Sequence, residues 1–267
     1  MSFDRLRSQY TFESFFGGNT SQQWLQGNAY IQYQLSQTDA ITLANALRQD
    51  VYDLYFKGSV SICEAMRSID LKLYSWATIK LYYSIFYFLR CTLACNNVSV
   101  IRRGRELFYI RARQGESLSK AQDRTDHKGT IYTFMDIYGN SDVLQSNSIN
   151  GINPYIWMMG KRDEVNYKDR EFHDPDAPYF WKEICDMIEK QTLDNVALTF
   201  ISDTSFTYTF QEDYSCLALP LMRMVLTRKV LSDNGIISLL HEIKKSHLSS
   251  ILPFNNTNIG LFEYFMI

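Results

Sequence analysis

The sequence predicts an all-α fold: a helical bundle with a small β-hairpin excursion and an appended C-terminal helical lobe. Two observations carry this expectation. Glycine and proline, which interrupt regular structure, number only 12 and 5 in 267 residues, too few for a turn-rich sandwich. Apolar residues make up 46% and aromatic residues 15%, and they recur at helical spacing in several long windows. A chain of this length buries a sizeable core. No internal repeat and no linker long enough to separate independent domains is visible. The expected organisation is an N-terminal arm over 1–35, a bundle over 36–195 with its excursion at 96–125, and a C-terminal lobe over 196–267.

Each element has a local reason. Residues 1–35 are rich in aromatics, Gln and Asn, with Gly17-Gly18 as a turn, and read as a loosely structured arm. A helix is expected over 38–55, capped by Thr38 or Asp39, with Leu43, Leu47, Val51 and Leu54 on one face. Gly58 then separates it from a short helix over 59–70. The helix over 71–94 is apolar around most of its circumference (Leu73, Trp76, Ala77, Leu81, Ile85, Phe88, Leu89), which places it centrally. Trp76, Leu81, Ile85 and Phe88 are its expected core contacts.

After Asn96-Asn97 the pattern changes. Residues 98–101 and 107–110 alternate around Gly104 and suggest a hairpin. A helix over 126–138 and a polar loop over 139–151 follow. The next helix, 154–168, opens with Pro154 at a first-turn position, where a missing donor costs nothing. A helix over 178–192 comes next, then a stretch with strand character over 197–210. Two final helices are expected over 219–231 and 236–252.

The net charge of −2 gives no global attraction to nucleic acid, so such binding needs a local patch. That patch exists in the sequence between residues 102 and 128. Arg102, Arg103, Arg105, Arg111, Arg113, Lys120, Arg124 and Lys128 face only Glu106, Glu116, Asp123 and Asp126, with Phe108 and Tyr109 interleaved. Arginines among aromatics suit a nucleic-acid strand, and Arg102, Arg103, Arg105, Arg111 and Arg113 are the candidate contacts. The alternative is a solvated hairpin whose charges pair with acids elsewhere, Glu212 and Asp213 among them.

The five cysteines (Cys63, Cys91, Cys95, Cys185, Cys216) fall mostly in apolar stretches and read as buried structural thiols. Cys91 and Cys95 share a helix face but have no further ligand nearby, so no metal is expected. Residues 73–89 are interrupted by Lys80 and are shorter than the roughly 20 apolar residues of a membrane span. The N-terminal residues Asp4, Arg5 and Arg7 interrupt any signal-like apolar core. A cytosolic location without membrane contact is the expectation. No phosphate-cradling glycine loop, nucleophile elbow or paired metal-ligand motif is present, which argues against an NTPase, a common hydrolase or a metalloenzyme, and no cofactor is expected.

The densest polar cluster is residues 161–168. Lys161, Arg162, Asp163, Asn166 and Tyr167 follow the mostly apolar run 152–159, and polar groups just past a buried anchor can be held rigidly. This stretch resembles the helix that carries the Arg-polar-spacer-His motif of HEPN-type helical bundles. The run from Ser75 to Tyr87 looks like the central helix of that superfamily. The order of central helix, excursion, motif helix, His173-Asp174-Pro175-Asp176 and a helical C-terminal lobe is similar to its YaaC-like branch.

The resemblance implies a dimeric, metal-independent endoribonuclease of an antiviral or toxin system, with RNA as target. Arg162 would bind and polarise phosphate, Asp163 would orient that Arg, and Asn166 and Tyr167 would position the 2′-hydroxyl or leaving group. The chain departs from the pattern at one point. The family's His follows after four to six residues. Here Tyr167 follows Arg162 after four and Lys168 after five, while His173 comes only after ten. The departure favours a second expectation, a non-catalytic HEPN-like adaptor that binds a protein or nucleic acid in a larger assembly. In a third, purely structural reading, Arg162, Asp163 and Asn166 cap and crosslink the bundle. Among the other histidines, His127 is the one expected to approach Arg162, and His241 and His247 are expected to face solvent.

Overall fold

The computed structural model describes residues 5–16, 29–139, 141–236, 240, 242–252 and 264. The chain is mostly α-helical with one small antiparallel sheet, in agreement with the expected fold class. It divides into two compact units, residues 1–54 with 89–138 and residues 55–88 with 139–267. Gly17-Gly18 and His241 lie outside the described residues.

In the first unit the N-terminal arm is more ordered than its composition suggests. Helices α1 (Arg7–Ser14) and α2 (Ala29–Gln32) form there, followed by the first part of α3 (Gln37–Asp70). Helix α1 lacks a side-chain cap of its own. Instead the fully buried Asp50 on α3 accepts from the backbone N–H groups of Arg7 at 2.7 Å and Ser8 at 2.9 Å. A remote carboxylate thereby satisfies donors that the helix start leaves open, where negative charge is also favoured.

Helix α4 (Tyr74–Cys95) leads into strands β1 (Val98–Arg103), β2 (Glu106–Arg111) and β3 (Ser119–Lys120), ordered β1-β2-β3. The register pairs Val98 with Arg111 and Arg103 with Glu106, leaving a two-residue turn at Gly104-Arg105. Gly104 takes positive φ there, as tight hairpin turns of this length require. The open edge of β1 is covered by Gln9 of α1. Its side chain accepts from Arg102 N at 2.8 Å and donates to Arg102 O at 3.0 Å, in place of a neighbouring strand. Helix α5 (Asp126–Tyr138) closes this unit with Ile131 and Phe134 buried.

In the second unit α3 continues without a break through Gly58, contrary to the two helices expected there. A Cβ on Gly58 would lie 2.7 Å from the Phe88 ring. The glycine therefore admits a close neighbour instead of ending a helix, and propensity gives way to packing. We expect Gly58→Ala to destabilise by about 1–3 kcal/mol through overpacking, read as a lower thermal midpoint; an unchanged midpoint would show that Phe88 yields freely.

Leu81, Ile85 and Phe88 are buried as expected, but Trp76 is 45% exposed. The helix is less uniformly apolar than it reads. Trp76, Lys80, Tyr83, Tyr87 and Arg90 form an exposed to half-buried stripe at alternating four- and three-residue steps. Trp76 rests edge-on against Phe172, with ring centroids 5.4 Å apart.

The rest of the second unit is α6 (Pro154–Asp163), α7 (Lys182–Lys190), α8 (Leu193–Ile201), α9 (Thr207–Phe210), α10 (Glu212–Asp233) and α11 (Glu242–Ile251). The strand character expected over 197–210 is overturned. Val196, Ala197 and Phe200 lie on one face of α8 and are fully buried, so burial at helical spacing outweighs the β-branched composition. Helix α10 starts at Glu212, ahead of the expected Leu219, and carries Pro220 inside it. All five cysteines are free, and four of them are buried. Among the described residues, no helix is long and apolar enough to cross a membrane.

Candidate functional site

Helix α6 is started by Asn153, whose side chain accepts from Tyr155 N at 3.0 Å, with Pro154 next to it. Its inner face buries Tyr155, Met158 and Met159. The helix does not run straight to Lys168. After Asp163 it widens into a single π turn, Glu164–Lys168, in which Asp169 N bonds to Glu164 O at 3.0 Å. Such turns insert an extra residue and shift which side chains share a face. Here Tyr167, five residues on, overlies Arg162, with 5.6 Å from the guanidinium to the ring. In a regular helix Asn166 would have taken that place.

Arg162 lies between two tyrosines. Its guanidinium carbon is 4.5 Å from the Tyr82 ring on α4, and Nη1 is 3.2 Å from Asp163. Its side chain is only 11% exposed, and Nε is buried with no hydrogen-bond partner. Tyr167 is 70% exposed over it. Burial pushes Tyr82 up to about 12, against the opposing field of Arg162. Desolvation works against the Arg162 charge, but Tyr82 and Asp163 outweigh it and raise its pKa above the usual value. The cation is thus permanent, and Tyr82 keeps its proton at neutral pH.

The neighbouring Lys161, not singled out as a site residue by the sequence, is held more tightly still. Its ammonium lies 3.2 Å from Glu212 and 3.4 Å from Glu164, and it donates to the Tyr179 hydroxyl. The rings of Tyr179, Phe180 and Trp157 surround it at 4.5, 4.9 and 5.4 Å. Desolvation opposes its charge, yet Tyr179 and the two glutamates hold its pKa up. Glu212 is therefore a counter-ion of Lys161 within the second unit. Trp157, one turn before Lys161, and Glu164, three residues after it, were the members of this cage visible locally; Glu212 comes from a distant helix.

A second polar cluster went unread. Arg223 on α10 is 2% exposed and bonds Asp142 at 2.9 Å and the Tyr155 hydroxyl at 3.1 Å, while Tyr155 donates to Asp142 at 2.5 Å. Its signal in the sequence was a lone Arg within the apolar run 217–225, since a buried charge demands a partner. His173 approaches Asp169 at 4.0 Å. His127 belongs to the first unit and Arg162 to the second. His247 packs beside Phe56, with ring centroids 6.3 Å apart.

The five arginines proposed for nucleic acid all lie in the first unit, and the hairpin register divides them. Arg102, Arg103 and Arg105 are at the turn, and Arg111 and Arg113 at the base, about 16 Å away for five residues of strand. Three have local partners: Arg102 pairs with Asp126 at 2.7 Å, Arg113 with Glu116 at 2.5 Å, and Arg103 lies 3.4 Å over the Tyr30 ring. Phe108 is buried and so offers no ring for base stacking. Arg105 and Arg111 are exposed. Compared with family models, with curated proteins and with solved structures, the chain finds no match in any of the three.

Proposed function

We propose that this chain is a non-catalytic HEPN-like binding module, an adaptor that engages a partner in a larger defence assembly. The observation that carries the reading is the environment of Arg162. A cation clasped between Tyr82 and Tyr167 and 11% exposed is placed as a crosslink between α4 and the π turn. Metal-free RNA cleavage needs a proton donor that titrates near neutrality beside the phosphate-binding group. Among the described residues the groups around Arg162 are Tyr82, Asp163 and Tyr167, and none is a histidine.

The competing reading is a metal-independent endoribonuclease of an antiviral or toxin system, acting as a homodimer on RNA. One observation favours it. The buried Nε of Arg162 has no hydrogen-bond partner, and a phosphate oxygen would satisfy it. Asp163 would then orient the guanidinium, with Asn166 and the exposed Tyr167 at the rim.

Arg162→Ala separates the two. As a crosslink, Arg162 supports the fold, and its loss should cost about 1–3 kcal/mol through the stacked rings and the orphaned site. A thermal melt would show this as a lowered midpoint, while binding to a captured partner survives below that temperature. An unchanged midpoint with lost function would defeat the adaptor reading.

A further inference from the structure

Arg102 organises the turn end of the hairpin. Its Nε bonds Asp126 at 2.7 Å, one terminal nitrogen donates to Gly104 O at 3.1 Å, and the other donates to Arg124 O at 3.2 Å. One guanidinium thus ties the hairpin turn to the loop before α5 and to the first residue of that helix. Gly129 keeps the loop close, since a Cβ there would meet Asp123 O at 2.4 Å. Three exposed cations ride on these tied segments: Arg105 in the turn, Arg124 in the loop and Lys128 in the first turn of α5.

The nearby carboxylates are already engaged. Asp126 holds Arg102, Glu106 holds Lys120 at 2.5 Å, and Asp123 accepts from Thr125 N at 2.7 Å and Thr125 Oγ1 at 2.6 Å. Among the described residues, Arg105, Arg124 and Lys128 have no ion-pair partner. Asp123 feels the fields of Lys128 and Arg124 but forms no contact ion pair with either, so the result is a pre-ordered surface on which cations outnumber acids.

We propose that Arg105, Arg124 and Lys128 form a docking surface for the phosphate backbone of a double-helical nucleic acid. It rests on the binding-module reading above and names the class of partner. Charge and rigidity suit a phosphate ladder, because each cation releases a counterion on contact. A single strand needs successive exposed rings to stack on; here Phe108 is buried, Tyr109 is half-buried and the Tyr30 ring lies under Arg103, which favours a duplex over a single strand. A membrane surface would need apolar side chains to insert, and the turn Gly104-Arg105 carries none.

The test is fluorescence anisotropy of a labelled short duplex, as RNA and as DNA, titrated with the full chain over a range of salt. Replacing Arg105, Arg124 and Lys128 together with Ala should flatten the slope of log K against log salt by about 2 to 3. The triple Arg105→Lys, Arg124→Lys and Lys128→Arg variant should keep the slope, as should the pair Arg111→Ala with Arg113→Ala. Thermal midpoints should be unaltered in every case, since the replaced side chains are exposed. An unchanged slope in the alanine triple variant, or equal binding to anionic phospholipid vesicles, would overturn the assignment. Cleavage of the probe with the slope loss intact would instead defeat the non-catalytic reading and leave the surface standing.

Discussion

Arg223→Ala is expected to be among the most damaging single substitutions in the chain, costing about 3–5 kcal/mol. Arg223 lies at 2% exposure against Asp142, whose side chain is 6% exposed. Removing the cation leaves a carboxylate stranded in an apolar interior together with the Tyr155 hydroxyl that it shares. Burial is the main influence on Tyr155, holding its pKa well above the usual value, so the hydroxyl stays neutral and can offer the carboxylate only its hydrogen bond. A matched change, Arg223→Met with Asp142→Asn, removes both charges and should recover much of the loss. Urea unfolding midpoints of the single and double variants measure this. If the double variant is no better than the single, the cost lies in packing and not in the stranded charge.

Trp181→Ala should cost a similar amount, about 3–5 kcal/mol. Trp181 is fully buried, packs on Tyr74 with ring centroids 5.7 Å apart, and donates from Nε1 to Thr78 Oγ1 at 2.8 Å. Its loss opens a cavity and unties the turn before α7 from α4. Trp181→Phe keeps most of the volume and removes only the Nε1 donor, while Thr78 keeps its own bond to Tyr74 O at 2.8 Å, so it should cost less than the alanine change. Equal losses for the two variants would mean that the hydrogen bond, and not the filled volume, carries the contact.

What could be read from the residues, and what could not, follows from the range of the forces involved. Helix α5 was legible to its ends, and the hairpin nearly so, because alternation and a glycine turn are local signals. Gly58 was misread because only a tertiary neighbour, Phe88, tells an accommodating glycine from a breaking one. Residues 197–210 were misread for a similar reason: Thr199, Phe200 and Ile201 favour strands, but Phe200 packs on Tyr208 and Tyr214 across a bend that strand propensity does not register. Trp76 was misread as core because the exposed to half-buried stripe it shares with Lys80 and Tyr83 is rich in aromatic and aliphatic bulk.

At the candidate site, the cluster at the end of α6 was visible as a sequence of polar residues. Its geometry was not, since Tyr82 is 80 residues before Arg162 and the π turn that brings Tyr167 over it has no distinct signature. The hairpin arginines were visible as a group. Only the folded unit shows that Arg102, Arg103 and Arg113 have partners within it, and that Arg102 ties the turn of Arg105 to the loop of Arg124 and the start of the helix that carries Lys128.

Arg162 thus decides between an adaptor and an enzyme. The most direct measurement incubates the purified chain with end-labelled RNA in the presence of a chelator and analyses the products on a denaturing gel, beside the Arg162→Ala variant. The account predicts intact RNA in both lanes at every time point. Fragments ending in 2′,3′-cyclic phosphate with the wild-type chain, absent with Arg162→Ala at a temperature where that variant is folded, would contradict it.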